Sequence, residues 1–223
     1  MTLQHAFLRR LGTATLAAAG AIGAGSVHAG EIYGNLGFPG VGLGYAHPLD
    51  SNVTLRGDFM TLGSRHQNKT QDGVEYAADL KMNRTALLAD WFPFEGVFRL
   101  TAGLGLSNYK LTMDAAGAGK TITVGDNAYT LGATDGMTVV VKYPRTMPYL
   151  GIGWGHQQAS GFRFGVDIGT LIGKPTVEAT ARGSLATNST FQADMDKELN
   201  QVRDDLGKVR YLPQLTFSIG YSF

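Results

Sequence analysis

Hydrophobic and polar residues alternate in short stretches along most of this chain. In FRFGVDIG (162–169), one face is apolar and the other carries glycines together with Arg163 and Asp167. YLGIGWG and FRLTAGLGL repeat this pattern of an apolar face opposite glycines and isolated polar residues. A period of two predicts β-strands, because successive side chains of a strand point to opposite faces of its sheet.

The alternation predicts eight strands, and an antiparallel barrel needs an even number of them to close. The predicted strands are 31–38, 41–46, 53–62, 84–92, 97–108, 147–156, 162–172 and 211–223. The sequence leaves the first hairpin open. Either it turns at Pro39-Gly40, or a turn falls at Asn83-Arg84, where the apolar residues change from even to odd positions.

The residue types on the polar faces decide between two all-β architectures. Glycine is frequent, at 31 of 223 residues, so the polar faces suit a narrow interior. A secreted soluble sandwich keeps its large apolar residues inside, whereas a transmembrane barrel turns them outward to lipid and encloses its polar face. A closed barrel also leaves no unpaired strand edge in hydrocarbon. We therefore predict an all-β fold, an eight-stranded antiparallel transmembrane β-barrel with long extracellular loops and one loop helix.

Residues 1–29 have the features of a cleaved secretory signal peptide. Arg9 and Arg10 precede a mostly apolar run, and small residues ending at Ala29 form the cleavage site. The apolar run is too short and too rich in glycine and alanine for a membrane anchor. We therefore expect export, a mature barrel of residues 30–223, and residence in the outer membrane of a Gram-negative cell.

The charge balance argues against nucleic acid as a partner. The chain has 19 Lys and Arg against 18 Asp and Glu, and cleavage removes two arginines, so 17 − 18 gives a mature charge of about −1. We therefore expect no basic field for nucleic acid or for anionic lipid. Cysteine is absent, so no disulfide supports the fold. The expected partners are outer-membrane lipids, the outer-membrane assembly machinery and small solutes.

Segment length predicts the orientation, because barrels of this kind have short periplasmic turns and long extracellular loops. The short segments are 47–52, 93–96 and 157–161, and the long ones are 63–73, 108–146 and 173–209. Residues 189–207 predict a helix, with Ser189 and Gln192 as a capping box and Gly207 as its stop. This helix is either an exposed loop helix packed on its own hairpin or, over the mouth, a lid or a substrate-contacting surface.

Six charged residues fall on the polar faces of the predicted strands. They are Arg56, Asp58, Asp90, Arg99, Arg163 and Asp167. Eight strands leave room only for side chains, and buried charges must pair, because an unpaired one costs several kcal/mol. The six residues are therefore a candidate lumen charge network. It is interpreted either as a salt-bridged plug or, alternatively, as a rearrangeable gate or a weak site for a zwitterion or cation.

We do not expect an enzyme. After cleavage the histidines are His47 in a predicted turn, His66 in a loop and His156 at a strand end. None belongs to a Ser/His/Asp arrangement, and no pair has metal-ligand spacing. A single histidine among polar loop residues is interpreted as a solvated side chain, and neither a cofactor nor a metal is expected.

The chain ends in a strand whose apolar residues alternate up to the last position. Those residues include Phe217, Ile219, Tyr221 and Phe223. They resemble the C-terminal signal by which outer-membrane proteins are recognised for insertion, so we predict that they form an assembly signal on the strand that closes the barrel. An aromatic girdle at one rim is expected from Trp91, Phe92, Phe94 and Trp154.

The most specific stretches lie mainly in the second half of the chain. In order they are MPYLGIGWG, GVDIGTLIGKPTVEATA, DMDKELNQVRDDL and the closing strand, and ALLADWFPF and TITVGDNAYT precede them. Together they resemble the carbapenem-associated outer-membrane protein (CarO-like) family over most of the mature chain. The resemblance implies a small outer-membrane barrel linked with uptake of small molecules such as basic amino acids and with carbapenem susceptibility. Slow, selective solute passage is thus one expected function, and a non-conducting structural or surface-binding barrel is the alternative.

Overall fold

The computed structural model describes residues 30–71, 74–157 and 160–223, and most of them lie in β-strands. The strands of this part are β1 (Glu31–Phe38), β2 (Gly40–Pro48), β3 (Val53–Gln71), β4 (Val74–Trp91), β5 (Phe98–Ala116), β6 (Thr121–Val124), β7 (Asn127–Thr130), β8 (Gly136–Lys142), β9 (Thr146–Trp154), β10 (Gly161–Ile172), β11 (Thr176–Arg182) and β12 (Tyr211–Ser222). A short 3₁₀ helix (Gly183–Ala186) and the α-helix α1 (Ser189–Leu206) lie between β11 and β12.

Eight strands close into an antiparallel ring, in the order β1-β2-β3-β4-β5-β9-β10-β12, and β12 returns to pair with β1. The pairing of the first and last strands runs from Glu31 with Ser222 to Phe38 with Leu215. Two backbone hydrogen bonds between Gly30 and Phe223, 2.9 and 3.1 Å long, complete this seam. The predicted all-β fold, an eight-stranded antiparallel barrel, is confirmed.

The structure settles the position of the first hairpin. The chain turns at Pro39, between β1 and β2, as one of the two alternatives requires. A turn at Asn83-Arg84 is wrong, because β4 passes through both residues and stays paired with β3 on one side and β5 on the other.

The expected long loop at 63–73 is mostly strand. β3 passes a bulge between Thr61 and Gly63 and continues to Gln71, paired with β4 along the way. The apolar–polar alternation ends near this bulge because both faces of the strand become polar, while the backbone pairing continues. The prediction of an irregular loop over this segment is therefore wrong.

The barrel turns apolar side chains outward and encloses small or polar ones. Leu87 and Phe164 are 65% and 75% exposed on the outer face, within a belt of similar residues that we call the apolar band. Glycines make room for the large side chains inside. A Cβ on Gly153 would lie 2.7 Å from Cζ of Arg99, so the arginine occupies the space that another side chain would need. Side chains thus fill the interior, as expected for eight strands.

The two ends of the ring differ in their connections. At the short-turn end, the connections are 49–52, 92–97 and 155–160. At the long-loop end, the last part of β5 (110–116) leaves the ring and pairs with β8, and β11 pairs with β8 in turn.

The additional elements at the long-loop end form a folded cap, which comprises β6, β7, β8, β11, α1 and residues 110–116 of β5. The cap encloses its own apolar core, whose buried residues include Ile122, Val124, Leu131, Val177, Leu185, Phe191, Met195 and Leu199. The segments 108–146 and 173–209 are therefore folded against one another through this core.

Helix α1 has nearly its predicted bounds but a different N-cap. Asn188 lies in extended backbone, and its Oδ1 accepts a hydrogen bond from Phe191 N at 3.0 Å, so Asn188 is the cap and Ser189 is the first helical residue. Gln192 instead donates to the carbonyl oxygen of Leu185 at 3.0 Å. No helix within the described residues is both long and apolar enough to cross a membrane.

Candidate functional site

Four charged side chains meet inside the barrel, in the half nearer the short-turn end. They are Arg56 on β3, Asp90 on β4, Arg99 on β5 and Asp167 on β10, and none is more than 5% exposed. Strand register brings them to one level, because Gly153 of β9 lies opposite both Arg99 and Asp167. Since Gly153 has no side chain, Arg99 crosses β9 to reach the carboxylate.

The four side chains form a closed set of charge-assisted hydrogen bonds. Arg99 donates from Nη1 and Nη2 to the two carboxylate oxygens of Asp167, at 2.8 and 2.9 Å. Arg56 donates from Nε and Nη2 to Asp90, at 2.5 and 3.1 Å. Arg56 also reaches Asp167 at 2.9 Å, and Arg99 also reaches Asp90 at 3.1 Å. We call this set the ionic ring. Each arginine in it contacts both aspartates, and paired forks of this kind are among the strongest hydrogen bonds in proteins.

A second ion pair lies nearer the long-loop end. Asp58 accepts a hydrogen bond from Arg84 Nη2 at 2.9 Å, and Gln214 Oε1 accepts one from Arg84 Nη1 at 3.1 Å. Arg84 was not among the six predicted residues, because it fell at the edge of a predicted strand and at a candidate turn. Its spacing of six residues from Asp90 was the available signal, because an even spacing places both residues on the same strand face.

Arg163 joins neither group. It lies near the start of β10, at the short-turn rim, where its Nη2 donates to the carbonyl oxygen of Ser160 at 3.2 Å. Its position in the alternation is inward, but a long side chain at a rim can extend toward water instead of into the lumen. With Arg84 in its place, the two groups hold three arginines and three aspartates, so their formal charges balance.

His156, which was expected at a strand end, lies just after β9 and is buried inside the barrel. Its Nδ1 lies 3.0 Å from Glu31 Oε1, its Nε2 lies 3.1 Å from Ser218 Oγ, and its ring stands 4.4 Å from that of Tyr33. Gly155 and His156 both have positive φ, 92° and 60°, a backbone conformation in which the chain reverses sharply after β9. This reversal brings His156 into the lumen, and alternation within a strand carries no signal for it.

Buried apolar side chains lie between the ionic ring and the second ion pair, and beyond that pair, because the enclosed positions of β4 run from Asp90 through Leu88, Ala86 and Arg84 to Met82. We call them the apolar layer, and its buried members are Met82, Ala86, Leu88, Tyr109, Met147, Tyr149 and Leu171. Tyr149 also stacks against Arg84, with its ring centroid 5.8 Å from Cζ, and so joins the apolar layer to the second ion pair. The lumen is therefore blocked by two kinds of side chain: charged ones in the ionic ring and the second ion pair, and apolar ones that lie between and beyond these two groups.

Several polar atoms inside the barrel have no hydrogen-bond partner among the described residues. They are Tyr33 Oη, Asn35 Oδ1, Arg84 Nε and Tyr109 Oη. Buried polar groups usually carry partners, so these four atoms offer free donors and acceptors next to the ion pairs. A small polar solute or water would find partners there.

Comparison with known proteins gives a structural relative but no sequence match. A scan against known protein families found no matching model, and no curated protein matched. The crystal structure of CarO2 from Acinetobacter baumannii matches with a TM-score of 0.59 and 16% identity, covering 87% of this chain and 98% of that one. The crystal structure of Acinetobacter baumannii CarO matches with a TM-score of 0.55 and 18% identity, over 87% and 97% of the two chains. This chain has a CarO-like fold.

Aromatic residues of the CarO-like barrel border the apolar band at the short-turn end. Trp91, Phe94 and Trp154 are exposed there, as expected for a girdle, but Phe92 is buried, so its expected place in the girdle is wrong. The residues of the predicted assembly signal, Phe217, Ile219, Tyr221 and Phe223, all face outward near the barrel's closing seam. Their part in assembly stays a prediction.

The other two histidines lie on strands. His66 is on the projecting part of β3, with Nδ1 2.6 Å from Asp79 Oδ1, and His47 is in β2, where its ring centroid is 6.3 Å from that of Tyr45. No cluster of three or more His, Cys, Asp or Glu side chains suitable for a metal ion occurs in the part of the chain that the structure describes.

Proposed function

We propose that this CarO-like barrel lies in the outer membrane and allows slow, selective passage of small solutes, basic amino acids among them, through a lumen that is closed at rest. The observation that carries the proposal is the ionic ring. Each of its arginines contacts two aspartates, and each aspartate contacts two arginines. A solute with an ammonium and a carboxylate group can replace one partner at a time without leaving a buried charge unpaired. A fully apolar interior would offer no such exchange.

The rest of the lumen favours slow passage. The unpartnered atoms of Tyr33, Asn35 and Tyr109 supply polar contacts beyond the ring. Met147 and Leu171 are fully buried in the apolar layer and must move before a solute can pass. Passage therefore requires rearrangement, and we expect rates well below those of a water-filled channel.

Location and orientation form part of the proposal. An apolar band around a closed ring suits a membrane. The predicted signal peptide, 1–29, would direct export but lies outside the described residues, as does part of the predicted turn 157–161. With the short turns in the periplasm, the cap lies outside the cell. Outer-membrane lipids and the assembly machinery are the partners that this placement implies.

A non-conducting surface-binding barrel is the second candidate, and the cap is the observation that favours it. Phe191 and Leu131 are almost completely buried in an apolar core that is separate from the apolar layer of the lumen. The described residues of the ring strands add to this core only Val74, at the far end of β4, and Ala115, in the part of β5 that belongs to the cap. A barrel can be closed by far less structure than a helix and four strands. The cap therefore provides a stable surface on which an external partner could bind.

Uptake of solutes into liposomes distinguishes slow passage from a non-conducting surface-binding barrel. Purified protein is reconstituted, and entry of radiolabelled arginine and ornithine is compared with entry into empty liposomes. We expect slow, saturable entry that increases when Arg56→Gln loosens the ionic ring, whereas the rim variant Arg163→Gln serves as the matched control and leaves the rate unchanged. Entry no faster than into empty liposomes would reject passage and favour the second candidate.

Labelling on whole cells tests the orientation separately. Lys120→Cys lies in the connection that leads into β6 of the cap, Ser51→Cys lies in a short turn, and both positions are exposed. A membrane-impermeant maleimide should react with the first variant and not with the second. The reverse pattern would show that the barrel is inserted the other way round.

A further inference from the structure

Three lysines stand side by side on the outer face of the sheet, beyond the apolar band. Lys81 of β4 lies opposite Lys110 of β5, and Lys110 lies opposite Lys142 of β8. Directly opposite residues project from the same face, with Cβ atoms about 5 Å apart. Like charges in this arrangement repel one another and destabilise the sheet, so the row is not there for the stability of the fold.

The surrounding residues neutralise little of this charge. Lys142 Nζ donates to Glu178 Oε2 at 3.1 Å, while the other two lysines have no acidic partner among the described residues. Asp79 lies two residues along β4, but its carboxylate is engaged by His66 at 2.6 Å. The row therefore keeps a net positive charge.

A cleft of about 640 Å³ opens beside the row. It forms where β5 changes partner, from β9 up to Leu106 to β8 from Lys110 onward. Residues 143–145 cross this gap and are held to β5 by two backbone hydrogen bonds, from Tyr143 N at 3.1 Å and to the Arg145 carbonyl oxygen at 2.7 Å. The cleft is a product of the backbone pairing, so it does not depend on side-chain rotamers alone.

The lining of the cleft is cationic. Lys110, Lys142 and Arg145 line it together with the amides of Asn83 and Asn108, and none of its lining residues is acidic. Ammonium, guanidinium and amide groups are all hydrogen-bond donors. Such a set suits an anion with several oxygen atoms, and phosphate is the common one.

The height of the cleft on the barrel points to a lipid. Along the outer face of β5, the exposed apolar Leu104 and Leu106 are followed by Asn108 and then by Lys110. Lys110 is four residues beyond Leu106, which corresponds to about 13 Å along the strand. A phosphate held in the cleft would therefore lie just above the hydrocarbon, at the level of the headgroups, and acyl chains attached to it would run along the apolar band.

We propose that Lys110, Lys142 and Arg145, with Lys81 beside them, bind the phosphorylated sugar headgroup of a lipid in the outer leaflet. The proposal rests on the proposed membrane location and on the cap facing outward, but not on solute passage. It also departs from the sequence expectation that no basic field for anionic lipid exists. That expectation came from the net charge of the whole chain, in which acidic residues elsewhere offset the local row of lysines.

Binding of bisphosphorylated lipid A to the full-length protein in neutral detergent micelles tests the site. The variant carries Lys81→Gln, Lys110→Gln and Lys142→Gln, and its matched control carries Lys69→Gln, Lys120→Gln and Lys174→Gln. All six lysines are at least partly exposed, so the two variants lose the same charge. Since each cation near a headgroup contributes measurably, we expect binding at least about tenfold weaker in the first variant and within about twofold of the parent in the control.

A variant with arginine at positions 81, 110 and 142 keeps the charge and should keep the binding, which separates the site from the folding of the chain. Three results would each overturn the proposal: equal losses in the two glutamine variants, equal binding of lipid A from which both phosphates have been removed, or displacement of the lipid by inorganic phosphate at the same phosphate concentration. Because binding is measured in micelles, neither a negative uptake result nor reversed labelling would produce these outcomes.

Discussion

The barrel and the cap belong to one chain but place their apolar and charged side chains in opposite ways. In the barrel, apolar residues such as Leu87 and Phe164 face outward, and Arg99 and Asp167 are enclosed. In the cap, Phe191 is enclosed, and charged residues cover the outside. The difference fits the proposed placement, because apolar side chains outside the barrel suit lipid, whereas those in the cap can leave water only by packing inward.

Strand β4 contains the boundary between these two arrangements of apolar and charged side chains. In its barrel half, Arg84 and Asp90 face inward and Leu87 faces outward; beyond Asn83, Met82 packs inside and Lys81 is exposed. The facing direction of even and odd positions does not change at this boundary, but the residue types do. The change of apolar phase near Asn83 therefore marks the edge of the apolar band and not a turn.

The largest expected effect comes from breaking the ionic ring inside the barrel. Asp167→Asn removes one charge of the ionic ring and leaves Arg99 and Arg56 short of a partner in a place with little water. Breaking a buried ion pair in this way costs about 3–5 kcal/mol of unfolding free energy. Urea unfolding in detergent micelles, followed by the change in gel mobility on heating, measures the loss.

The matched control is Asp205→Asn on the cap. Asp205 accepts a hydrogen bond from Lys208 at 2.9 Å, and both side chains are exposed. An exposed pair contributes about 0–1 kcal/mol, so this variant should unfold almost like the parent. Similar unfolding curves for the two variants would show that the ionic ring does not stabilise the barrel.

A substitution in the apolar core tests the cap. Phe191→Ala removes a fully buried side chain from the apolar core. We expect a loss of at least about 3 kcal/mol of unfolding free energy, because truncating a buried aromatic side chain leaves a cavity that its neighbours fill only partly. Limited proteolysis should cut the cap while the barrel stays resistant. Loss of both together would show that the two regions do not have independent cores.

The outer face of the barrel gives a smaller effect. Phe223→Ala removes an aromatic side chain that is 41% exposed at the closing seam. Loss of its contact with apolar surroundings costs about 1–3 kcal/mol. If the terminal residues are also an assembly signal, the amount of folded barrel in the outer membrane should fall further than this loss explains. Pulse-labelling of assembly in cells measures it, and a normal rate would reject the signal.

The sequence was most informative where one face of a strand belongs to the apolar band. The apolar band predicts the barrel strands and puts Arg56, Asp90, Arg99 and Asp167 on the enclosed face, since the required period is local. It does not predict the upper part of β3, where residues 64–69 are polar on both faces. Backbone pairing with β4 holds that segment in a strand, and this pairing does not require an alternation of apolar and polar residues that could be recognised in the sequence.

Contacts between distant segments account for the other differences. The strands β6, β7, β8 and β11 are short, and their core joins residues far apart in the chain. His156 enters the lumen through a backbone reversal. The lysine row depends on the register between β4, β5 and β8. None of these placements can be derived from neighbours in the sequence.

The smallest expected effect is a pH dependence on the surface of the cap. Asp114 accepts hydrogen bonds from Arg182 at 2.6 and 2.7 Å and from Thr138 at 2.6 Å, beyond the apolar band. The bonds from Arg182 lower the pKa of the Asp114 carboxyl, and Thr138 adds to this effect. The stabilisation is therefore fully present above the unfolded-state pKa of about 3.9 and is lost as the pH falls through the lower folded-state pKa. Because the pair is partly exposed, its contribution is below about 1 kcal/mol.

Asp114→Asn should lower the stability of the cap against proteolysis slightly at pH 6. It should also flatten the decline of that stability between pH 4 and pH 2. The control is Asp126→Asn, which removes an exposed contact with Lys197 and should leave the decline as in the parent. An unchanged acid decline in the Asp114 variant would show that the pair does not couple protonation to the stability of the cap.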